Sequence, residues 1–244
     1  MVSYRIIARL DIKGPNLIKG IQFEGLRVLG KPGEFARKYA DDGADELLYI
    51  DTVASLYGRN HLGRLIEESS RDIFIPFAVG GGIRSCGDIR PILESGADKI
   101  AVNSAAVLRP SLISEISDRA GSQCLMVSIE AKRVNGGWEA YTHCGRNPSG
   151  RDAVKWAREA VSLGAGEILI TSIDRDGTRR GPDLELLKAI DVDVPVIYSG
   201  GIRLEDVREV SEHSQGMAIG ASLHYGDCTI SQVKDALRAW KEIR

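Results

Sequence analysis

Cysteine is scarce: among 244 residues there are four, Cys86, Cys124, Cys144 and Cys228, and no two form a CxxC pair. Scattered thiols of this kind exclude a disulfide framework and point to reduced, mostly buried cysteines in a cytoplasmic protein. Histidine is equally sparse, and His61, His143, His213 and His224 show no metal-binding spacing such as HxxxH, so no metal is expected. No apolar run reaches the ~18 residues a membrane span needs, and the opening MVSYRIIARL holds no long apolar stretch of the signal-peptide kind. The 32 basic and 34 acidic side chains nearly cancel, which leaves no bulk attraction for nucleic acid or membrane surfaces. Low-complexity segments and linkers are missing as well, so residues 1–244 are read as a single domain.

What is present is a series of short apolar runs with longer amphipathic segments between them. The runs are RIIARLD (5–11), ELLYID (46–51), IPFAVGG (75–81), KIAVNS (99–104), LMVSIE (125–130), EILITS (167–172), PVIYSGG (195–201) and MAIGAS (217–222). They are too short for helices, and continuous apolarity suits strands covered on both faces, as in parallel sheets. Segments such as GEFARKYADDG, RDAVKWAREAVSLG and EDVREVSEHS carry helical periodicity, and several end in glycine, a helix stop signal. Eight strand–helix units in this length, with 43% hydrophobic residues to fill a core, predict a (β/α)8 barrel of the α/β class.

The chain repeats itself. VGGGIRS (79–85) returns as YSGGIRL (198–204), KIAVNSAAV (99–107) is echoed by MAIGASLHY (217–225), and Asp11 is followed 119 positions later by Glu130. The barrel is therefore read as two similar half-barrels, about 1–120 and 121–244, with Asp11 and Glu130 at matching places on the first and fifth strands.

In this fold the functional groups sit at the C-terminal ends of the strands. There the sequence places Asp11, Asp51, Gly82, Asn103, Ser104, Glu130, Thr171, Asp176, Gly177, Ser199, Gly200, Gly201, Ala221 and Ser222. The glycines of GGGIRS and SGGIR stand before a helix, where backbone N–H groups can hold phosphate oxygens. One such turn is weak evidence; two related by an internal repeat indicate a ligand with a phosphate at each end. Asp11 and Glu130, facing each other, form a candidate acid–base pair. The plainer alternative ties each to a neighbouring lysine or a loop amide. At the opposite face four strands begin with a charge, Arg5, Glu46, Lys99 and Glu167, which together make a ring of balanced sign: a salt-bridge plug or a gate. The stretch LYGRN (56–60) reads as a mouth loop, and Trp138 as a packing residue in a hairpin after the fifth strand.

RIIARLDIK, LIKG, DELLYID, VGGGIR, GADKIAVNSAAV, GSQ, EAKRVNG, GAGEILITSIDRDGT and SGGIR together resemble, over nearly the whole chain, the HisF family, the cyclase subunit of imidazole glycerol phosphate synthase. The resemblance implies a two-ended phosphate substrate, a phosphoribulosyl-formimino aminoimidazole carboxamide ribonucleotide, and no metal or organic cofactor. It implies a HisH-like glutaminase docked on the barrel floor, whose ammonia passes through the barrel to the mouth. By the same resemblance Asp11 is a catalytic carboxylate, Lys19 a loop lysine that closes over substrate, and Arg5, Glu46, Lys99 and Glu167 the ammonia gate; Asp98 lies on the glutaminase side.

Two departures from the family pattern stand out. Glu130 replaces an aspartate, and Arg9 replaces the cysteine of an ACLDV motif. Alternation along the first strand puts residues 5, 7, 9 and 11 inside, so Arg9 is expected in the barrel interior, where a guanidinium needs a partner. Glu130 is the expected partner, its carboxyl held low by the cation. On that basis the expectation is a divergent relative that supplies ammonia for bacterial surface-sugar amidation beside a sugar amidotransferase. The alternative is a cyclase of histidine biosynthesis, favoured by Asp11, Lys19, Asp176 and the paired turns. A third is a scaffold that only activates a glutaminase.

Overall fold

The structure, a computed structural model, describes residues 4–54, 66 and 73–238; the LYGRN stretch lies outside them. Eight parallel strands form the barrel wall: β1 (Arg5–Lys13), β2 (Glu46–Asp51), β3 (Phe77–Gly80), β4 (Lys99–Val102), β5 (Leu125–Val134), β6 (Glu167–Ser172), β7 (Val196–Ser199) and β8 (Gly216–Ile219). Each pairs with the next, and β8 pairs back onto β1, with Arg5 opposite Gly216 and Ile7 opposite Ala218. Closure leaves none of the eight with an open edge on the wall.

Strand alternation divides the buried side chains into two cores. Ile7, Leu48, Ala78, Ala101, Met126, Leu169, Ile197 and Ala218, one from each strand, meet inside the barrel. Their neighbours along the chain, such as Ile6, Leu47, Tyr49, Ile100, Val127 and Ile168, point outward and pack against helices including Pro32–Asp41, Ser111–Ala120, Ala153–Ser162 and Ile230–Arg238. This is why the strands read as unbroken apolar runs. Among the described residues no helix is long and apolar enough to cross a membrane.

The repeat is visible in the backbone. β1 runs on into a hairpin of Asn16–Ile21 and Glu24–Gly30, and β5 into one of Gly137–Thr142 and Asn147–Asp152. The second hairpin contains Trp138, which packs under Arg133 and donates its indole N–H to Asp183 at 2.9 Å. The glycine turns also match: φ is 107° and 74° at Gly81 and Gly82, and 120° and 73° at Gly200 and Gly201. A Cβ at Gly81 would meet the Asp51 carbonyl oxygen at 2.5 Å. The turn therefore needs glycine both for its left-handed backbone and for its contact with β2.

At the barrel floor the four strand-start charges close into a ring. Arg5 donates to Glu46 at 2.9 Å and to Glu167 at 2.6 Å; Lys99 donates to Glu46 at 3.2 Å and to Glu167 at 3.0 Å. Burial lifts the Glu46 carboxyl above its ordinary value, against the pull of Lys99 and Arg5. Its other oxygen has no hydrogen-bond partner among the described residues. Outside the ring, Asp98 is exposed, and its carboxylate accepts the Phe77 amide at 2.8 Å, as Asp45 accepts that of Ile6 at 2.8 Å.

Replacing Lys99 with Met leaves two carboxylates on one guanidinium. At pH 7 the variant is expected to lose about 3 kcal/mol of stability, because breaking a buried pair strands a charge. Urea unfolding should show the loss shrinking as pH falls, because the carboxyl raised by burial takes up a proton.

Candidate active site at the barrel mouth

Asp11 ends the inward column of β1 and is buried. Both of its oxygens are held by cations: Arg9 Nε donates to Oδ1 at 2.9 Å and Lys19 Nζ to Oδ2 at 3.0 Å. Lys19 comes from the first hairpin and donates also to Asp176, at 3.0 Å and 2.7 Å to its two oxygens. Arg9 reaches across the barrel to Thr171 on β6 (3.0 Å) and Ser199 on β7 (3.3 Å), under the ring of Phe23 at 5.6 Å. Arg9, Asp11, Lys19 and Asp176 are each 3–4% exposed.

The expected Arg9–Glu130 ion pair is not formed. Arg9 sits in the interior as alternation requires, but its carboxylate partner is Asp11. The reason is charge balance. Two cations, Arg9 and Lys19, meet two anions, Asp11 and Asp176, and the cluster is neutral without Glu130. Burial resists a charged Asp11, yet Arg9 and then Lys19 outweigh it and hold the carboxyl well below the usual carboxylate range. Burial opposes the Arg9 and Lys19 cations too, and the two aspartates raise both above their ordinary values.

Glu130 is therefore not held low, as the sequence led us to expect. Burial pushes its carboxyl up to about 7, with the Gly145 amide and Arg9 acting against the rise. Its one hydrogen bond among the described residues is from the Gly145 N–H to Oε2, at 2.8 Å, so the plainer alternative, a tie to a loop amide, applies to this residue. Gly145 belongs to the tip of the second hairpin, where His143, Cys144 and Gly145 all have positive φ (55°, 55° and 72°). Left-handed non-glycine residues are strained and cluster at functional sites. The Ser104 hydroxyl, which accepts the His143 amide at 2.9 Å, and the Cys144 thiol, which donates to the Thr52 carbonyl, fasten this turn.

A wide opening of about 580 Å³ lies between the two hairpins, against Phe23, Tyr141, Cys144 and Gly145. Two clefts lie over the glycine turns; the larger of these two, about 300 Å³, is lined by Gly81, Gly82, Asn103, Ser104, Ser128, Glu130, His143 and Cys144, among others. The smaller, about 20 Å³, is lined by Asp176, Gly177, Gly200, Gly201, Ala221 and Ser222. Most of the predicted phosphate residues thus fall into two groups, one per half-barrel; Lys19 and Thr171 line neither cleft and bond instead to Asp11 and Arg9. Asp51 contributes differently: its carboxylate turns onto the amides of Val53 and Ala54 at 3.0 and 2.9 Å.

The first hairpin lies closed. Gln22 donates its amide to the Asp176 carbonyl at 2.8 Å, and Gly177 packs so tightly that a Cβ there would fall 2.1 Å from the Gly20 oxygen. Phe23, the Ser128 wall and the Cys144 turn were missed in the sequence. The repeat held the signal for the turn: a hairpin follows Asp11 to the mouth, so the hairpin after Glu130 belongs there too.

A duplicated (β/α)8 barrel with a buried ionic cluster at its mouth and a charged ring at its floor defines a narrow class. The model of the histidine biosynthesis protein family matches residues 5–229. The chain is 58% identical over 210 residues to a Legionella pneumophila protein named imidazole glycerol phosphate synthase subunit HisF, spanning 84% of this chain and 99% of that one. Proteins of the same name from Myxococcus xanthus and Pyrococcus furiosus are 47% and 48% identical, over 98% and 96% of this chain and 96% and 95% of theirs. The chain belongs to this family and, within it, to the HisF group.

Two outcomes test the site. In Gly177→Ala the hairpin should lift, exposing Lys19; expected are a stability loss of ~1–3 kcal/mol and faster proteolytic cleavage within residues 14–30. In Glu130→Gln the effect depends on pH. A carboxyl raised in the folded state contributes stability that is complete below its ordinary value of 4.5 and lost as pH rises through about 7. The glutamine variant should therefore gain on the parent between pH 4.5 and 8, by ~3 kcal/mol in denaturant unfolding.

Proposed function

We propose that this chain is the cyclase subunit of an imidazole glycerol phosphate synthase. A HisH-like glutaminase docks on the floor, and ammonia crosses the barrel to a phosphoribulosyl-formimino aminoimidazole carboxamide ribonucleotide at the mouth. The observation that carries this reading is the stacking of inward positions along single strands. Arg5, Ile7, Arg9 and Asp11 on β1, and Glu167, Leu169 and Thr171 on β6, run from charged ring through apolar layer to mouth. An apolar layer above a salt-bridged ring suits a small neutral molecule and resists ions. In this reading Arg5, Glu46, Lys99 and Glu167 act as the gate. Phe74, 91% exposed just before β3, and Asp98 stand on the face offered to the glutaminase. The two clefts take one phosphate each, through Gly82, Asn103 and Ser104 on one side and Gly177, Gly200, Gly201, Ala221 and Ser222 on the other. Asp11 and Glu130 flank the reacting atoms, with Lys19 closing over them.

Arg9 favours a second reading, in which the barrel relays ammonia to a sugar amidotransferase instead. It occupies the centre of the mouth, where a guanidinium takes space from a substrate. The names of the relatives weigh toward the cyclase.

The deciding assay mixes the purified chain with the ribonucleotide and excess ammonium salt at alkaline pH. The cyclase reading expects product at an ordinary enzymatic rate, roughly 1–10³ s⁻¹. No turnover in the parent, with turnover in the Arg9→Cys, Glu130→Asp double variant, would replace it with the relay.

A further inference from the structure

We propose that Arg9 is a positioning residue that takes Asp11 out of proton transfer and leaves Glu130 as the one carboxyl of the pair that exchanges protons. The proposal deepens the cyclase reading and rests on it for the identity of the reaction.

The geometry of the two carboxylates is unlike. Each Asp11 oxygen receives a cationic donor, Arg9 Nε on one and Lys19 Nζ on the other. Each oxygen keeps a second lone pair, but a carboxylate clamped between two buried cations binds a proton weakly, so it is a poor base unless a cation leaves. Arg9 is itself locked: its guanidinium is fixed from β6 by Thr171 and from β7 by Ser199, and covered by Phe23. Lys19 can depart with its hairpin, but Arg9 is rooted in the barrel wall, so Asp11 keeps its counter-ion whether the hairpin is open or closed. Glu130 is held by one backbone amide, and no protein donor among the described residues reaches its other oxygen. It lines the larger cleft beside Ser128 and Asn103. The charged and titratable groups around it are Arg9 and Asp11 from β1, Asp176 from the loop after β6, and Cys144, with Arg146 behind it, from the second hairpin; Tyr141 stands opposite it in the hairpin, and Asp51, Arg84, Arg109 and His143 line the same cleft.

The chemistry balances on one group. As ammonia forms a bond to the formimino carbon, the new nitrogen sheds a proton to the Glu130 carboxylate. When the bond from that carbon to the departing aminoimidazole nitrogen breaks, the carboxyl returns that proton to it; the same new nitrogen closes the ring by condensing with the ribulosyl carbonyl, whose oxygen leaves as water. A group titrating at about 7 is suited to both directions near neutral pH. Glutamate in place of aspartate fits the assignment, since its additional methylene carries the working oxygen further into the cleft.

The test reads the carboxyls directly. Protein carrying ¹³C at the Asp and Glu carboxyl carbons is titrated by NMR, with Asp11→Asn and Glu130→Gln used to assign signals. The expected result is a Glu130 signal with a midpoint near 7 and an Asp11 signal that stays ionised to the lowest pH at which the protein is folded. In Arg9→Met the Asp11 signal should begin to titrate. An Asp11 that titrates in the ordinary carboxylate range in the parent protein overturns the proposal, and this arm needs no substitution in the barrel interior. A Glu130 that titrates as an exposed carboxyl overturns it as well. The kinetic arm uses saturating ammonia, with kcat followed against pH. One limb near neutrality is expected in the parent, its loss with a ~10²–10⁴-fold drop in Glu130→Gln, and a second, more acidic limb in Arg9→Met. Should the titrations hold while the ribonucleotide is not turned over, the cyclase reading fails and the division between the two carboxyls stands. Should turnover hold while Asp11 titrates normally, the division fails and the cyclase reading stands.

Discussion

One carboxylate gripped by two cations organises the mouth of this barrel. Asp11 sits where a water-filled opening would normally solvate it, yet Arg9 from its own strand and Lys19 from the hairpin replace that water. Burying a charge is tolerable only when it is paired and hydrogen-bonded, and here each member of the cluster satisfies another. Lys19 needs Asp176 as well as Asp11, which draws the hairpin down onto the loop after β6. Arg9 needs Thr171 and Ser199, which ties β1 to the far wall. Glu130, outside the balance, is left with a single amide and a raised carboxyl. The closed hairpin and the neutral cluster are thus consequences of one pairing, while burial raises the Glu130 carboxyl beside them.

The same pairing breaks the symmetry of the repeat. The two halves share glycine turns with matching dihedrals, strand-extending hairpins and a carboxylate at the end of the first strand. They differ in what fills the interior above the apolar layer. The Arg9 side chain crosses to β6 and β7, toward the smaller cleft, while the β4–β5 side carries Asn103 and Ser128, and there the larger of the two glycine-turn clefts opens. A duplicated scaffold has become a one-sided site through a single long side chain.

Much of this was legible without coordinates. The eight runs fell on the eight strands, because strands covered on both faces must be apolar throughout. Alternation placed Arg5, Arg9 and Asp11 inside, and the floor ring closed as the balanced signs of its four charges suggested. The glycine turns and the carboxylate pair were legible through the repeat. Glu130 was misread: its charge, height and reach all suited Arg9, and the error lay in counting one cation where the folded mouth holds two. Lys19 follows Asp11 by only eight positions, but Asp176 is 157 away, and nothing local says that the hairpin lies closed on it. The Cys144 turn was passed over because an isolated thiol in a polar segment carries no periodic signal.

The sequence by itself determined the barrel, its duplication and which side chains of the first strand face inward, since these follow from periodicities of two residues in strands and of the whole repeat, and its motifs carried the resemblance to the family. Tertiary structure alone decided who pairs with whom. Ion pairing in a buried cluster depends on the sum of charges brought within a few ångströms by separate strands and a hairpin, and that sum is a property of the assembled mouth. Asp11 and Glu130 look alike along the chain; the low carboxyl of one and the raised carboxyl of the other come from the neighbours that folding supplies.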